Sequence, residues 1–236
     1  MVLVNDKEIS AVLFDLDDTL FNSSLMSLRA RRNSIRAMIE AGLEIEEEEG
    51  LQKLLAIVEK YGSNYGQHFN RLLDELGVKD QPKLIAAAIV AYHSTKQALL
   101  RPYPGVITTL LTLMKKVKIG IVSDGVKIKQ WEKLTYLGLQ HFFDVVIVNE
   151  KKNEWKPAKD GYEKALKQLR ITEPERVIYV GNKIETDILG ANNLGIISVL
   201  FDPQKKYSTI EKKDNRKPDF VVHHFKAILK LLEIKG

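Results

Sequence analysis

Two aspartates one residue apart, Asp15 and Asp17, close a short apolar run, Ala11-Val12-Leu13-Phe14. Side chains alternate along an extended chain, so both carboxylates point the same way. Carboxylates crowded in this manner repel each other unless a cation or a bound substrate group neutralises them. An isolated acidic pair also reads as a turn. Here the apolar residues before it and Thr19-Leu20 after it favour a strand that ends in a site. Three further groups could join it. Ser123-Asp124-Gly125 ends another apolar run, where a hydroxyl and the N–H groups of a turn can hold a phosphoryl oxygen. A lysine could neutralise both a nucleophile and an anionic substrate, and Lys152, Lys156 and Lys159 lie close together in sequence. Asn182 and Asp187 follow a run at 177–180, and amide and carboxylate oxygens both suit a hard divalent cation.

These groups need elements that bring them together. The run ending at Asp15 and those at 117–122, 145–148, 177–180 and 196–201 read as buried strands of a parallel sheet. Helical spacing fills the intervals at 106–114, 127–137, 162–169 and 184–194, with Gly138 and Gly195 as stop signals. Alternating strands and helices joined by short links imply a doubly wound α/β core. Residues 25–100 differ: 27–41, 47–59, 69–76 and 82–99 all carry helical periodicity, and no convincing strand interrupts them. The expected organisation is therefore an α/β core from 1–21 and 101–236, with a small all-helical domain from 22–100. A last helix is expected at 225–234, and Trp131 and Trp155 are expected to be packing residues, with lining of an entrance beside Lys156 as the alternative for Trp155.

At this point the chain resembles a family. Asp15-Leu16-Asp17-Asp18-Thr19 is similar to the first motif, D-x-D-x-T, of the haloacid dehalogenase superfamily, most of whose members are phosphatases and phosphotransferases. Ser123, Lys156 before Pro157, and Asp187 with Gly190-Ala191 are similar to its second, third and fourth motifs, in order. Asn182 departs from the pattern, which has an aspartate there; an amide can still ligate or orient a metal-bound water, but brings no charge. The resemblance covers nearly the whole chain. It implies a Rossmann-like core with a helical cap inserted after the first motif. It further implies Asp15 as nucleophile, Asp17 as general acid and then base, and Asp18, Ser123, Asp124 and Lys156 as phosphate-binding residues. A magnesium ion would be held by Asp15, Asp17 (through its backbone carbonyl), Asn182 and Asp187. The family's dehalogenases lack an acid at the position of Asp17 and need no magnesium. Phosphate monoester hydrolysis through an aspartyl-phosphate is therefore the implied reaction. The implied partner is a small phosphorylated metabolite, chosen by cap residues such as Asn22, Tyr61, Asn64, His68, Arg71, His93 and Lys96. A phosphomutase, a dehalogenase and a catalytically impaired phosphate-binding protein remain alternatives.

Composition bounds the remaining classes. The chain has 236 residues and no cysteine, which excludes a disulfide framework, thiolate metal sites and a cysteine nucleophile. Its net charge of +5 is mild and selects no partner by itself. Lysine pairs such as Lys115-Lys116, Lys205-Lys206 and Lys212-Lys213 are scattered and lack interleaved aromatics, so nucleic-acid binding is not expected. The longest apolar run, 84–92, falls far short of the roughly 20 residues of a bilayer span. The first residues are too short an apolar stretch for a signal-peptide core, and a cytoplasmic location is the expectation. A signalling receiver domain would be about half this length, with its acceptor aspartate on a later strand. A monomer or a homodimer is expected.

Overall fold

A computed structural model describes residues 2–4, 7–207 and 215–233. Met1, Lys212, Lys213 and Ile234, which enter the sequence reading, lie outside them. The chain divides into two compact units, Met1–Asn22 with Arg101–Gly236, and Ser23–Leu100.

The first unit is a parallel α/β sheet. A short hairpin, β1 (Leu3–Val4) and β2 (Lys7–Glu8), precedes the first long-range strand, β3 (Ala11–Phe14). After the helical unit come α5 (Val106–Leu113), β4 (Lys118–Asp124), α6 (Lys127–Tyr136), β5 (Val145–Asn149), α7 (Asp160–Leu169) and β6 (Val177–Gly181). A π-helical segment (Ile184–Ile188) leads into α8 (Leu189–Asn193), then β7 (Ile197–Phe201), β8 (Phe220–Val222) and α9 (Ala227–Leu231). The six-stranded sheet has the order β5-β4-β3-β6-β7-β8, with every neighbouring pair parallel.

This order places β3 between β4 and β6, where the chain's winding reverses. In an open α/β sheet that reversal leaves a crevice beyond the carboxyl ends of the strands. The strand is short and fully buried, as a central strand covered on both faces must be. Ala11 and Leu13 join Tyr162, Ala165, Leu166 and Tyr179 in the core beneath α7. From the strand's other face Phe14 stacks on Phe225, with ring centroids 5.7 Å apart. Both glycine stops hold: Gly138 and Gly195 take φ of 68° and 72°, a left-handed conformation that ends a helix at no steric penalty.

Two expectations need correction. The stretch 184–194 is not one α-helix: its first part is π-helical, with Ile188 N–H bonding Lys183 O at 3.2 Å, and only Leu189–Asn193 is α-helical. Trp155 is 38% exposed, so it does not pack in the core. The sheet also gains β8, an edge strand of three residues that offers too little pattern to be recognised in sequence.

The second unit is all helical: α1 (Ser23–Glu40), α2 (Glu47–Tyr61), α3 (His68–Glu75) and α4 (Pro82–Leu99). Helix α1 buries Met26, Ala30, Ser34, Ile35 and Met38, a stripe at three- and four-residue intervals. Its residues share a core with Leu51, Leu54 and Ile57 of α2, Leu72 and Leu73 of α3, and Leu84 and Ala88 of α4. The Ser34 hydroxyl lies 3.0 Å from the Ala88 carbonyl oxygen, tying α1 to α4 through a buried polar contact. Among the described residues no helix is long and apolar enough to cross a membrane.

Candidate active site

The carboxyl ends of β3, β4 and β6 converge on Asp15. Its backbone N–H bonds Val180 O at 2.9 Å, which continues the β3–β6 ladder to the residue itself. The chain then turns through Asp18, whose φ of 59° lies in the left-handed region that aspartate tolerates better than most residues. A Leu20 N–H to Leu16 O bond of 3.0 Å closes that turn.

Lys156 arrives from the connection between β5 and α7. Its Nζ donates to Asp15 Oδ1 at 2.6 Å, to Asp187 Oδ1 at 2.7 Å and to the Tyr179 hydroxyl at 2.9 Å. All three hydrogens of the ammonium therefore have partners, which a buried cation requires. Tyr179 donates in turn to Val122 O at 2.9 Å. The backbone N–H of Lys156 lies 3.2 Å and 3.3 Å from the two Asp124 carboxylate oxygens, and Asn149 Nδ2 donates to Asp124 Oδ1 at 2.9 Å. Asp124 thus pins the lysine's backbone to the end of β4.

Asp187 is 1% exposed and fully engaged. Besides Lys156, its Oδ2 accepts from the backbone N–H groups of Asn182 and Lys183, both at 3.0 Å. The π-helical turn folds this carboxylate back onto the end of β6, and Gly181 makes room for it. A Cβ there would collide with Asp187 Cβ and lie 2.7 Å from its Oδ2.

Charge sets the state of these groups. Burial alone would lower the Lys156 ammonium, but Asp15 and Asp187 outweigh it and hold the group well above its usual value, so it stays protonated. Burial pushes the Asp15 carboxyl up to about 7, against the pull of Lys156, and Asp187 adds to the rise. Two buried carboxylates share one buried cation, so ionisation of Asp15 leaves one negative charge uncompensated.

That imbalance bears on a metal. Among the described residues no three His, Cys, Asp or Glu side chains are grouped to hold an ion. Magnesium, however, retains several waters and takes few protein ligands, all oxygens. The Thr19 hydroxyl lies 3.4 Å from both Asp15 Oδ2 and Asn182 Oδ1, so two hard oxygen donors from β3 and β6 flank one point. Both contacts are at the weak limit of hydrogen bonding, which leaves these oxygens available to a stronger electrophile. The donor set fits a small divalent cation. Asp187 differs from the other expected ligands in that both its oxygens already serve Lys156 and the backbone.

Of the remaining expected residues, Ser123 is 1% exposed at the end of β4, and its Oγ accepts from Gln130 Nε2 at 3.0 Å. Asp17 lies in the connection after β3, ion-paired to Lys133. Sequence reasoning missed Gln130, Lys133 and Tyr179. Glutamine and lysine at a three-residue interval on an amphipathic helix look like its polar face, and a tyrosine inside an apolar strand looks like core. Of the residues nominated for the cap, Asn22 belongs to the sheet unit. Three others have neighbours within the helical unit: Tyr61 stacks on Tyr65 with centroids 4.9 Å apart, Arg71 Nε donates to the Tyr65 hydroxyl at 3.2 Å, and His68 Nε2 meets Gly62 O at 2.9 Å.

The parallel sheet thus closes on a buried aspartate, a lysine and a second acidic loop. The haloacid dehalogenase-like hydrolase family matches residues 12–201, and the chain belongs to it. It is similar to the glyceraldehyde 3-phosphate phosphatase of Methanopyrus kandleri, at 45% identity over 94% of this chain and 96% of that one. It is also similar to the protein of that name from Methanocaldococcus jannaschii, at 40% identity over 95% and 97%. Among solved structures, the magnesium-bound HAD-hydrolase YfnB of Bacillus subtilis aligns over 97% of this chain and 100% of its own, with a TM-score of 0.70 and 18% identity. That last likeness is one of fold. The chain is a hydrolase of phosphate monoesters.

Proposed function

We propose that this phosphatase hydrolyses glyceraldehyde 3-phosphate, or a phosphate monoester of the same size, in a magnesium-dependent reaction through an aspartyl-phosphate on Asp15. The substrate rests on the near-full-length similarity to two phosphatases of that name. The chemistry rests on one observation: Asp15 is buried at the winding reversal with one carboxylate oxygen held by Lys156 at 2.6 Å. Among the described residues the other oxygen has the weak 3.4 Å Thr19 contact described above.

In this reading an Asp15 carboxylate oxygen attacks phosphorus in line. The bond from phosphorus to the ester oxygen breaks, and Asp17 gives that oxygen its proton as the alcohol leaves. Asp17, now a carboxylate, takes a proton from the water that attacks the aspartyl-phosphate, and Asp15 is regenerated as inorganic phosphate departs. Lys156 neutralises the nucleophile and the phosphoryl oxygens, and holds Asp15 in a single orientation. The Ser123 hydroxyl and the backbone N–H groups near Asp18 and Asp124 cradle the transferring group. Asp15, Asn182 and the Asp17 carbonyl would hold magnesium, with Asp187 ordering the loop that carries Asn182. When bound, the ion offsets the repulsion between an anionic nucleophile and an anionic substrate. A small phosphorylated metabolite as substrate supports a cytoplasmic location.

The test is release of inorganic phosphate from glyceraldehyde 3-phosphate by purified protein with magnesium, against an Asp15→Asn variant. Turnover by the wild type and its loss in a variant with an unchanged melting curve are expected. Retained turnover in the variant would remove Asp15 as nucleophile, and inactivity of the wild type on this ester would remove the substrate.

A further inference from the structure

We propose that Lys133, supported by Gln130, is the positioning residue that aims the Asp17 carboxyl at the leaving oxygen. The inference rests on the roles given above to Asp15 and Asp17. Lys133 Nζ lies 2.8 Å from Asp17 Oδ1 and 2.6 Å from Oδ2, so one ammonium grips both oxygens. Gln130 Nε2 reaches the same Oδ2 at 3.2 Å. Residues three apart on a helix share a face, and α6 presents both donors to Asp17 at once.

Gln130 is itself fixed. It is 3% exposed, and its Nε2 also meets Ser123 Oγ at 3.0 Å and Asp124 O at 2.8 Å. The carboxyl of Asp17 is thereby registered against the end of β4, the strand whose Ser123 takes a phosphoryl oxygen. Stability does not account for the arrangement. The Lys133 and Asp17 side chains are 22% and 33% exposed, so water reaches the pair and screens its contribution to stability. An acid–base group, by contrast, works only within hydrogen-bond reach of the atom it serves, and a small displacement lowers the rate steeply. Asp17 sits on a turn rather than a regular element, and its aim must come from elsewhere. The step served is the one already written: having taken a proton from the hydrolytic water, Asp17 keeps one oxygen on Lys133 and with the other passes that proton to the next ester oxygen, as its bond to phosphorus breaks and the bond from Asp15 to phosphorus forms.

The experiment compares kcat/KM on two substrates at saturating magnesium. Glyceraldehyde 3-phosphate releases an alkoxide that must be protonated, whereas p-nitrophenyl phosphate releases a nitrophenolate that leaves without a proton. Lys133→Met should lower kcat/KM on the first at least about tenfold more than on the second, through kcat rather than KM, and Lys133→Arg should restore part of the loss. Lys133→Gln serves as the second variant, and melting curves establish that each is folded. Equal losses on both substrates, or none, overturn the inference. Asp17→Asn separates it from the reading beneath it. If Asp17→Asn discriminates between the substrates and Lys133→Met does not, the inference alone fails. If Asp17→Asn does not discriminate, the acid role of Asp17 fails, and the inference with it.

Discussion

At the scale of single residues, the exchange of an acid for an amide at position 182 has a defined consequence. Asn182 Oδ1 stands 3.4 Å from the hydroxyl that also meets Asp15, and so can offer an oxygen to a cation without a charge. An Asn182→Asp variant should reach half-maximal activity at several-fold lower magnesium, because a carboxylate attracts the ion more strongly at the same distance. An unchanged magnesium titration would place residue 182 outside the metal's shell. Asp15 was legible from its place at the end of a buried apolar run, and Lys156 and Asp187 from the resemblance of their motifs, whose order along the chain agrees with it. Lys133 and Gln130 were not, because nothing distinguishes an exposed-face lysine that meets Asp17, 116 residues away, from one that meets only water. Tyr179 escaped for a related reason: its ring belongs to the core, and only its hydroxyl touches the lysine.

At the scale of elements, the segment after β6 shows what periodicity cannot convey. Apolar spacing marks a helix over 184–194, yet it does not separate an α-helix from a wider π turn. The distinction matters because π turns recur at functional positions, and this one returns the Asp187 carboxylate to the strand end. The residue that permits it is Gly181. A Gly181→Ala variant should displace Asp187 from the backbone N–H groups of Asn182 and Lys183 and loosen its hold on Lys156. We expect destabilisation of about 1–3 kcal/mol, as for other overpacked sites, with activity falling far more than the melting temperature alone explains. Denaturant unfolding beside initial rates checks both parts. The long strands were readable because burial on two faces leaves continuous apolar runs. The hairpin of β1 and β2 and the edge strand β8 were not, because two or three residues carry no period.

For the whole molecule, the buried imbalance of charge couples metal, proton and stability. In the cation-free fold the Asp15 carboxyl titrates at about 7 rather than 3.8, so the folded state holds its proton more tightly than the unfolded chain does. A raised carboxyl of this kind favours the fold at low pH, and that advantage is lost as pH rises from about 4 to about 7. A cation binds the ionised form and reverses the trend. Magnesium should therefore raise the melting temperature more at pH 8 than at pH 6, and its affinity should weaken by up to tenfold per pH unit below about 7. Calorimetry with and without the ion measures both, and a pH-independent magnesium shift would contradict the assignment. Another property of the whole chain follows from where it leaves the sheet unit and where it returns. Phe21 and Pro102 form an antiparallel bridge, and Tyr103 N–H bonds Leu20 O at 2.9 Å, so departure and return lie side by side. A graft of any length could be spliced at that doorway without rerouting a single strand, and so one sheet can host successive insertions while its chemistry stays put.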